Sequence, residues 1–195
     1  MRAVRSRAQD GDVAAQSELA RRLAGRKKLE EALLWYRSAA RSGNADCQME
    51  LGIFLCWDRD AYGQGIKWIR RAAERGHVGA QYFLGAELAT GENVRKNLPS
   101  AARWYRRAAM KGHGEAQYNL AMMYWAGEGV PRNPIAAHRW LEKAAKSRDL
   151  GALFALAEAY ENGQLGYRKD RTRARYWRRH YTRVRKAALK RDPDR

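Results

Sequence analysis

The sequence predicts an all-α protein, a stack of about five helical hairpins closed by a terminal capping helix. Three observations carry that prediction. Tryptophan recurs at Trp35, Trp68, Trp104, Trp140 and Trp177, at spacings of 33, 36, 36 and 37 residues. Leu19, Leu51, Leu84, Leu120 and Leu156 keep step with it, each followed by a small residue: Ala20, Gly52, Gly85, Ala121 and Ala157. No segment reads as a strand. A period in the thirties marks stacked units of one helical hairpin each. Such chains bury a repetitive core and work through an extended surface rather than a pocket.

Aligned on these columns, the units begin near Gly11, Gly43, Gly76, Gly112 and Arg148. They span about 11–42, 43–75, 76–111, 112–147 and 148–183 of one domain, 1–195, with 184–195 a basic C-terminal tail. Each first helix repeats apolar positions four apart, one face of an α-helix. The sets are Ala15, Leu19, Leu23; Cys47, Leu51, Leu55; Ala80, Leu84, Leu88; Ala116, Leu120, Tyr124; and Ala152, Leu156, Tyr160. Four units carry glutamine after the first small residue, Gln16, Gln48, Gln81 and Gln117. The turns of the last three units end at Asn97, Asn133 and Asp170, residue types that cap the next helix. Pro134 suits a helix's first turn.

The second helices carry tryptophan and then an alanine pair: Ala39–Ala40, Ala72–Ala73, Ala108–Ala109 and Ala144–Ala145. Tryptophan supplies a large buried surface, and paired alanines let the next helix approach closely. Gly43, Gly76 and Gly112 stop three of these helices. At the end of the chain Tyr181 and Thr182 replace the alanine pair, which obstructs a further hairpin. The stripe Ala174, Trp177, Tyr181, Val184, Ala188 keeps helical spacing, as in a capping helix with a polar outer face. Residues 3–10 resemble the tail of a second helix.

These residues resemble the Sel1-like repeat family, relatives of the tetratricopeptide repeats. The match is strongest over GHGEAQYNLAMMYWAGEGVPRNPIAAHRWLEKAA, 112–145, and GHVGAQYFLGAELATGENVRKNLPSAARWYRRAA, 76–109. It extends over 11 to roughly 185, although GRKKLEEA and WDRDAYGQG replace the usual turn in the first two units. The resemblance implies a right-handed α/α superhelix serving as an adaptor or scaffold, without enzymatic activity in most members. Bacterial members are tied to envelope, secretion or host-interaction systems.

Composition narrows the partners. The formal charge is +18, and 13 Lys/Arg against 3 Asp/Glu lie between Arg168 and Arg195. Acidic partners follow from that balance. Arginine outnumbers lysine 29 to 10, favouring forked contacts with carboxylates and phosphates. No apolar run is long enough to cross a bilayer, and MRAVRSRAQDGD lacks the apolar stretch of a signal peptide. Cytoplasm is the expected compartment. Cys47 stands in a column of alanines and reads as a small buried residue; Cys47 and Cys56 fit no zinc spacing.

Catalysis finds no constellation. His77 and His113 follow boundary glycines and read as surface or loop-packing residues; His138 and His180 sit among arginines without a ligand pattern. GEGV at 127–130 follows no strand and precedes no Lys-Ser/Thr, so it is no phosphate loop. The expectation is a non-enzymatic scaffold without cofactor or metal. It binds a protein or peptide on a concave face lined by the first helices, at Phe54, Phe83, Glu87, Met122, Met123 and Trp125, where repeats differ. Some of these can instead pack against neighbouring first helices. A second surface is the basic last helix, with Arg178, Arg179, Arg183 and Arg185 outside its apolar stripe. It is read as a solvated cap, with an acidic protein, nucleic acid or anionic lipid as alternative partners. An inhibitor or immunity-type partner of a bacterial effector is a further reading. The oligomeric state is left open.

Overall fold

The computed structural model describes residues 1–191. Eleven helices account for 76% of these residues, and no strand occurs among them. They are α1 (Arg2–Gln9), α2 (Val13–Gly25), α3 (Leu29–Arg41), α4 (Ala45–Cys56), α5 (Tyr62–Glu74), α6 (Val78–Thr90), α7 (Leu98–Met110), α8 (Gly114–Ala126), α9 (Pro134–Lys146), α10 (Leu150–Asn162) and α11 (Arg171–Arg191). The chain divides into two compact units, Met1–Leu84 and Gly85–Arg195. No helix among the described residues is long and apolar enough to cross a membrane. The residues read as a C-terminal tail continue α11 as helix to Arg191, and 192–195 lie outside the described residues.

In the first unit the core gathers Leu19, Leu23, Tyr36, Leu51 and Leu55 around Ala8, Ala20, Ala32 and Ala40. In the second, Leu141, Leu153, Leu156 and Tyr160 pack with Ala121, Ala144, Ala145 and Ala174. All five leucines of the repeat column are at most 1% exposed. The alanine pairs are equally buried, at 0–2%. Where the small residue after the leucine is glycine there is no room for a Cβ: at Gly85 the Tyr105 ring takes the space, and at Gly52 the helices meet backbone to backbone. A Cβ on Gly52 would collide with Ile69 Cγ1 and stand 3.0 Å from the Gly65 carbonyl oxygen; one on Gly65 would stand 2.6 Å from Cys56 Sγ and from the Gly52 carbonyl oxygen.

The repeated glutamines join successive hairpins. Gln16, Gln48, Gln81 and Gln117 are all buried, and each Nε2 donates to a carbonyl eight residues earlier: Ala8, Ala40, Ala73 and Ala109. That carbonyl lies at the end of the preceding helix, where it also accepts the backbone N–H of the boundary glycine, Gly11, Gly43, Gly76 or Gly112. The fifth hairpin has Leu153 in this column, fully buried, and makes no such bond.

Every first helix also begins with a side-chain cap. Asp12, Asn44, His77, His113 and Asp149 accept the backbone N–H of Ala15, Cys47, Ala80, Ala116 and Ala152 at 2.7–3.3 Å. His77 and His113, expected as surface or loop-packing residues, are N-caps that accept through Nδ1. Burial pushes the Asp149 carboxyl above the usual carboxylate range despite its bond from Ala152. The expected caps of the second helices are present as well, with Asn97, Asn133 and Asp170 accepting from Ser100, Ala136 and Arg173 at 2.9–3.0 Å. Replacing His113 by alanine is expected to cost about 1 kcal/mol, the usual worth of an N-cap. His113→Asn, which keeps an acceptor, should unfold within a few tenths of a kcal/mol of the parent; equal loss in both variants would deny the capping role.

The repeat tryptophans are less buried than their size suggests. Trp104 is 9% exposed, whereas Trp35, Trp68, Trp140 and Trp177 are half-buried. Three carry a cation from the residue three positions on: Arg71 over Trp68 at 4.4 Å, Arg107 over Trp104 at 4.7 Å and Lys143 over Trp140 at 4.5 Å. His180 stacks on Trp177 in the same relation, 6.2 Å between ring centres. The guanidinium or ammonium group shields the ring face that packing leaves open.

Candidate functional site

The six residues expected on one face divide between the units, two in the first and four in the second. In the first, the open sides of α2 and α4 begin with a charged network. Arg21 reaches Glu18 at 3.2 Å and Glu50 at 3.7 Å, Arg22 bonds Glu18 at 2.6 Å, and Ser17 Oγ donates to Glu50 at 2.9 Å. One turn further along α4 the surface turns apolar. Phe54 packs against Tyr36 and Trp57, at centroid separations of 5.0 and 5.6 Å. Trp57 itself is 71% exposed and Ile53 38%. This ledge of Ile53, Phe54 and Trp57 ends at the C-terminus of α4, before the turn Asp58–Ala61. Phe83 is half-buried on α6.

Sequence reasoning named Phe54 and missed Ile53 and Trp57. The signal was available, since Trp57 lies outside the tryptophan register and next to the irregular turn. A tryptophan with no repeat to serve and seven-tenths of its surface in water has no evident packing duty.

The second unit treats its candidates differently. Met123 is only 6% exposed, so it packs inside the unit and offers a partner no surface. Met122 packs on the core of the last two hairpins. Glu87 is half-buried and accepts a bond from Asn93 at 3.3 Å. Trp125 is covered by the turn between α10 and α11. A Cβ on Gly166 would stand 3.3 Å from its ring, Arg132 lies over it at 5.3 Å, and His138 stacks beside it at 6.1 Å. His138 in turn stacks on Tyr167 at 4.2 Å and bonds the Leu165 carbonyl through Nε2 at 2.5 Å. Tyr167 is half-buried, and its hydroxyl is enclosed without a hydrogen-bond partner. Burial pushes its ionisation far up. Trp125 therefore fastens a turn and is not an open contact.

Of the four arginines expected on the last helix, Arg178 is already engaged. Its guanidinium bonds Glu158 at 2.6 Å and Glu161 at 2.5 Å, both on α10. Its column in the other hairpins holds Tyr36, Ile69, Tyr105 and Leu141, all buried, whereas Arg178 stays exposed while it pairs with α10. Arg179, Arg183 and Arg185 are exposed and, among the described residues, have no ion-pair partner. No group of three or more His, Cys, Asp or Glu among the described residues could hold a metal ion. Cys47 is buried and free, and burial pushes its thiol up.

The Sel1 repeat profile matches residues 13–44, 45–77, 78–113, 114–149 and 151–177. The chain belongs to the Sel1 repeat family. Among solved structures, a Sel1 repeat protein from Oxalobacter formigenes is 26% identical, with a TM-score of 0.76. The alignment covers 94% of this chain and 55% of that one, so the chain spans about half the length of that relative. A Sel1 repeat protein from Klebsiella pneumoniae shares the fold at 19% identity and a TM-score of 0.53, over 93% of this chain and 91% of that one. The cysteine-rich protein B of Helicobacter pylori is similar in fold at 24% identity and a TM-score of 0.50, over 65% and 92% of the two chains. No curated protein matches the sequence. Sel1 repeat proteins generally act as scaffolds for protein–protein interaction and are generally non-catalytic.

Proposed function

We propose that this Sel1 repeat chain is a non-enzymatic scaffold that grips a protein partner through the first-helix surface, with the α4 ledge as its centre. The supporting observation is the ledge itself. Trp57, Ile53 and Phe54 form a contiguous apolar surface beside the Glu18–Arg21–Glu50 network. Exposed aromatic anchors rimmed by charge are the features on which protein interfaces concentrate their binding energy. Phe83 is a further contact on the first-helix surface. The buried thiol of Cys47 fits a reducing compartment such as the cytoplasm.

Trp57→Ser combined with Phe83→Ser should leave the helical circular-dichroism signal intact, because neither ring belongs to the leucine column. Affinity capture with parent and double variant side by side is then the test. Partners held by the parent should be lost or weakened by about tenfold or more in the variant, the cost of removing one or two aromatic anchors. A partner retained equally by both proteins would move the site off this surface.

A further inference from the structure

The exposed side of α11 carries two patterns, a row of arginines and an alanine pair. Arg175, Arg179 and Arg183 stand four residues apart, about 6 Å per step along a helix. With Thr172, Tyr176 and His180 they line a groove of about 480 Å³. Tyr176 is 59% exposed, and α11 contains no acidic residue. A second groove, of about 600 Å³, continues from His180 and Arg183 to Arg148, Val184, Ala187 and Ala188. In the other hairpins every alanine pair of the second helix is buried at 0–2% under the next helix. Ala187–Ala188 is the same feature, six residues beyond its usual register and exposed.

We propose that this face of α11 binds an acidic amphipathic helix of a partner protein, a second contact that rests on the scaffold reading above. The molecule already shows the interaction it would repeat. On its inner side α11 takes carboxylates three residues apart on one helix, Glu158 and Glu161, through a single arginine. On its outer side three arginines at one-turn spacing meet carboxylates at i, i+4 and i+8 of an incoming helix. Ala187 and Ala188, both exposed, let that helix approach as the alanine pairs do elsewhere. A phosphate backbone would use the arginines and gain nothing from the alanines. A second copy of a chain carrying +18 brings the wrong charge.

The probe is a fluorescein-labelled alanine-based helical peptide with three glutamates at i, i+4 and i+8 followed by two leucines one turn on. Anisotropy titrations against the whole chain at physiological salt should show saturable binding. Arg175→Glu, Arg179→Glu and Arg183→Glu together should weaken it at least about tenfold, three exposed charge pairs being removed and reversed. The neutral triple change to glutamine serves if the reversal fails to fold. Ala187→Gln with Ala188→Gln leaves the net charge unchanged but blocks close approach, and should weaken the peptide about fivefold. Equal binding of a peptide with the glutamates spread around the helix would overturn the proposal. So would tighter binding of a twenty-residue oligothymidylate than of the peptide, which would assign the face to phosphate. The Trp57 and Phe83 variant should bind the peptide unchanged, so the two sites fail or succeed separately.

Discussion

Truncating Leu120 to alanine is expected to lower the unfolding free energy by about 2–5 kcal/mol, seen as a clear drop in the urea midpoint. Leu120 is 0% exposed, on α8, in a column whose other members, Leu19, Leu51, Leu84 and Leu156, are 0–1% exposed. The loss combines the transfer of its methyl groups and the cavity left behind. That cavity cannot close easily, because Ala121 and Ala116 alongside are also fully buried. Domains of this size are held by only about 5–15 kcal/mol, so one such change removes a large share of the margin. Leu34 is the matching control: at 66% exposed, its truncation should leave the midpoint nearly where it was. Equal effects of the two changes would mean that the leucine column is not the core.

Adding a single methyl group at Gly52 should be almost as damaging. Gly52→Ala places a carbon against the Ile69 side chain, 3.0 Å from the Gly65 carbonyl oxygen and 3.1 Å from the Ile69 backbone nitrogen. The side chain can rotate away; the backbone atoms cannot, so α4 and α5 must separate. Overpacking of this kind costs about 1–3 kcal/mol, and the upper part of that range is expected here. Alanine is the better helix former of the two, so an exposed helix would have gained from the change. A stabilised Gly52→Ala variant would show that the two helices do not touch at this point. Gly25→Ala, where a Cβ meets nothing within 4 Å, is the comparison that isolates the contact.

Repetition made most of the fold legible. A column that recurs five times separates residues that every hairpin needs from residues that only one carries. The leucines, alanine pairs and the Asn97, Asn133 and Asp170 caps were found in this way. His77 and His113 stood in the column of Asp12, Asn44 and Asp149, and their capping role could have been read there. Imidazole is a less obvious acceptor than a carboxylate, since its donor and acceptor atoms depend on the tautomer. The candidate surface was harder. Register places Trp125 outside its helix, but the turn that covers it belongs to the next hairpin, and Gly163–Asp170 is one residue longer than Gly127–Asn133. Arg178 was grouped with its neighbours by charge, although its column elsewhere holds Tyr36, Ile69, Tyr105 and Leu141. Only the position of Glu158 and Glu161 across from it explains a charged group there.

The buried glutamines also bear on how the chain comes apart. A hydrogen bond from Nε2 to one particular carbonyl fixes the setting of α2, α4, α6 and α8. A slip by one residue would strand the glutamine amide away from water, at a cost of about 1–3 kcal/mol. At the junction of α9 and α10 the same place is taken by Leu153, which any apolar neighbour satisfies. Release of the C-terminal hairpin therefore breaks no such bond, and it returns the confined carboxyl of Asp149 to solvent. Unzipping accordingly begins from that end, while the earlier junctions hold as latches that must be opened one at a time.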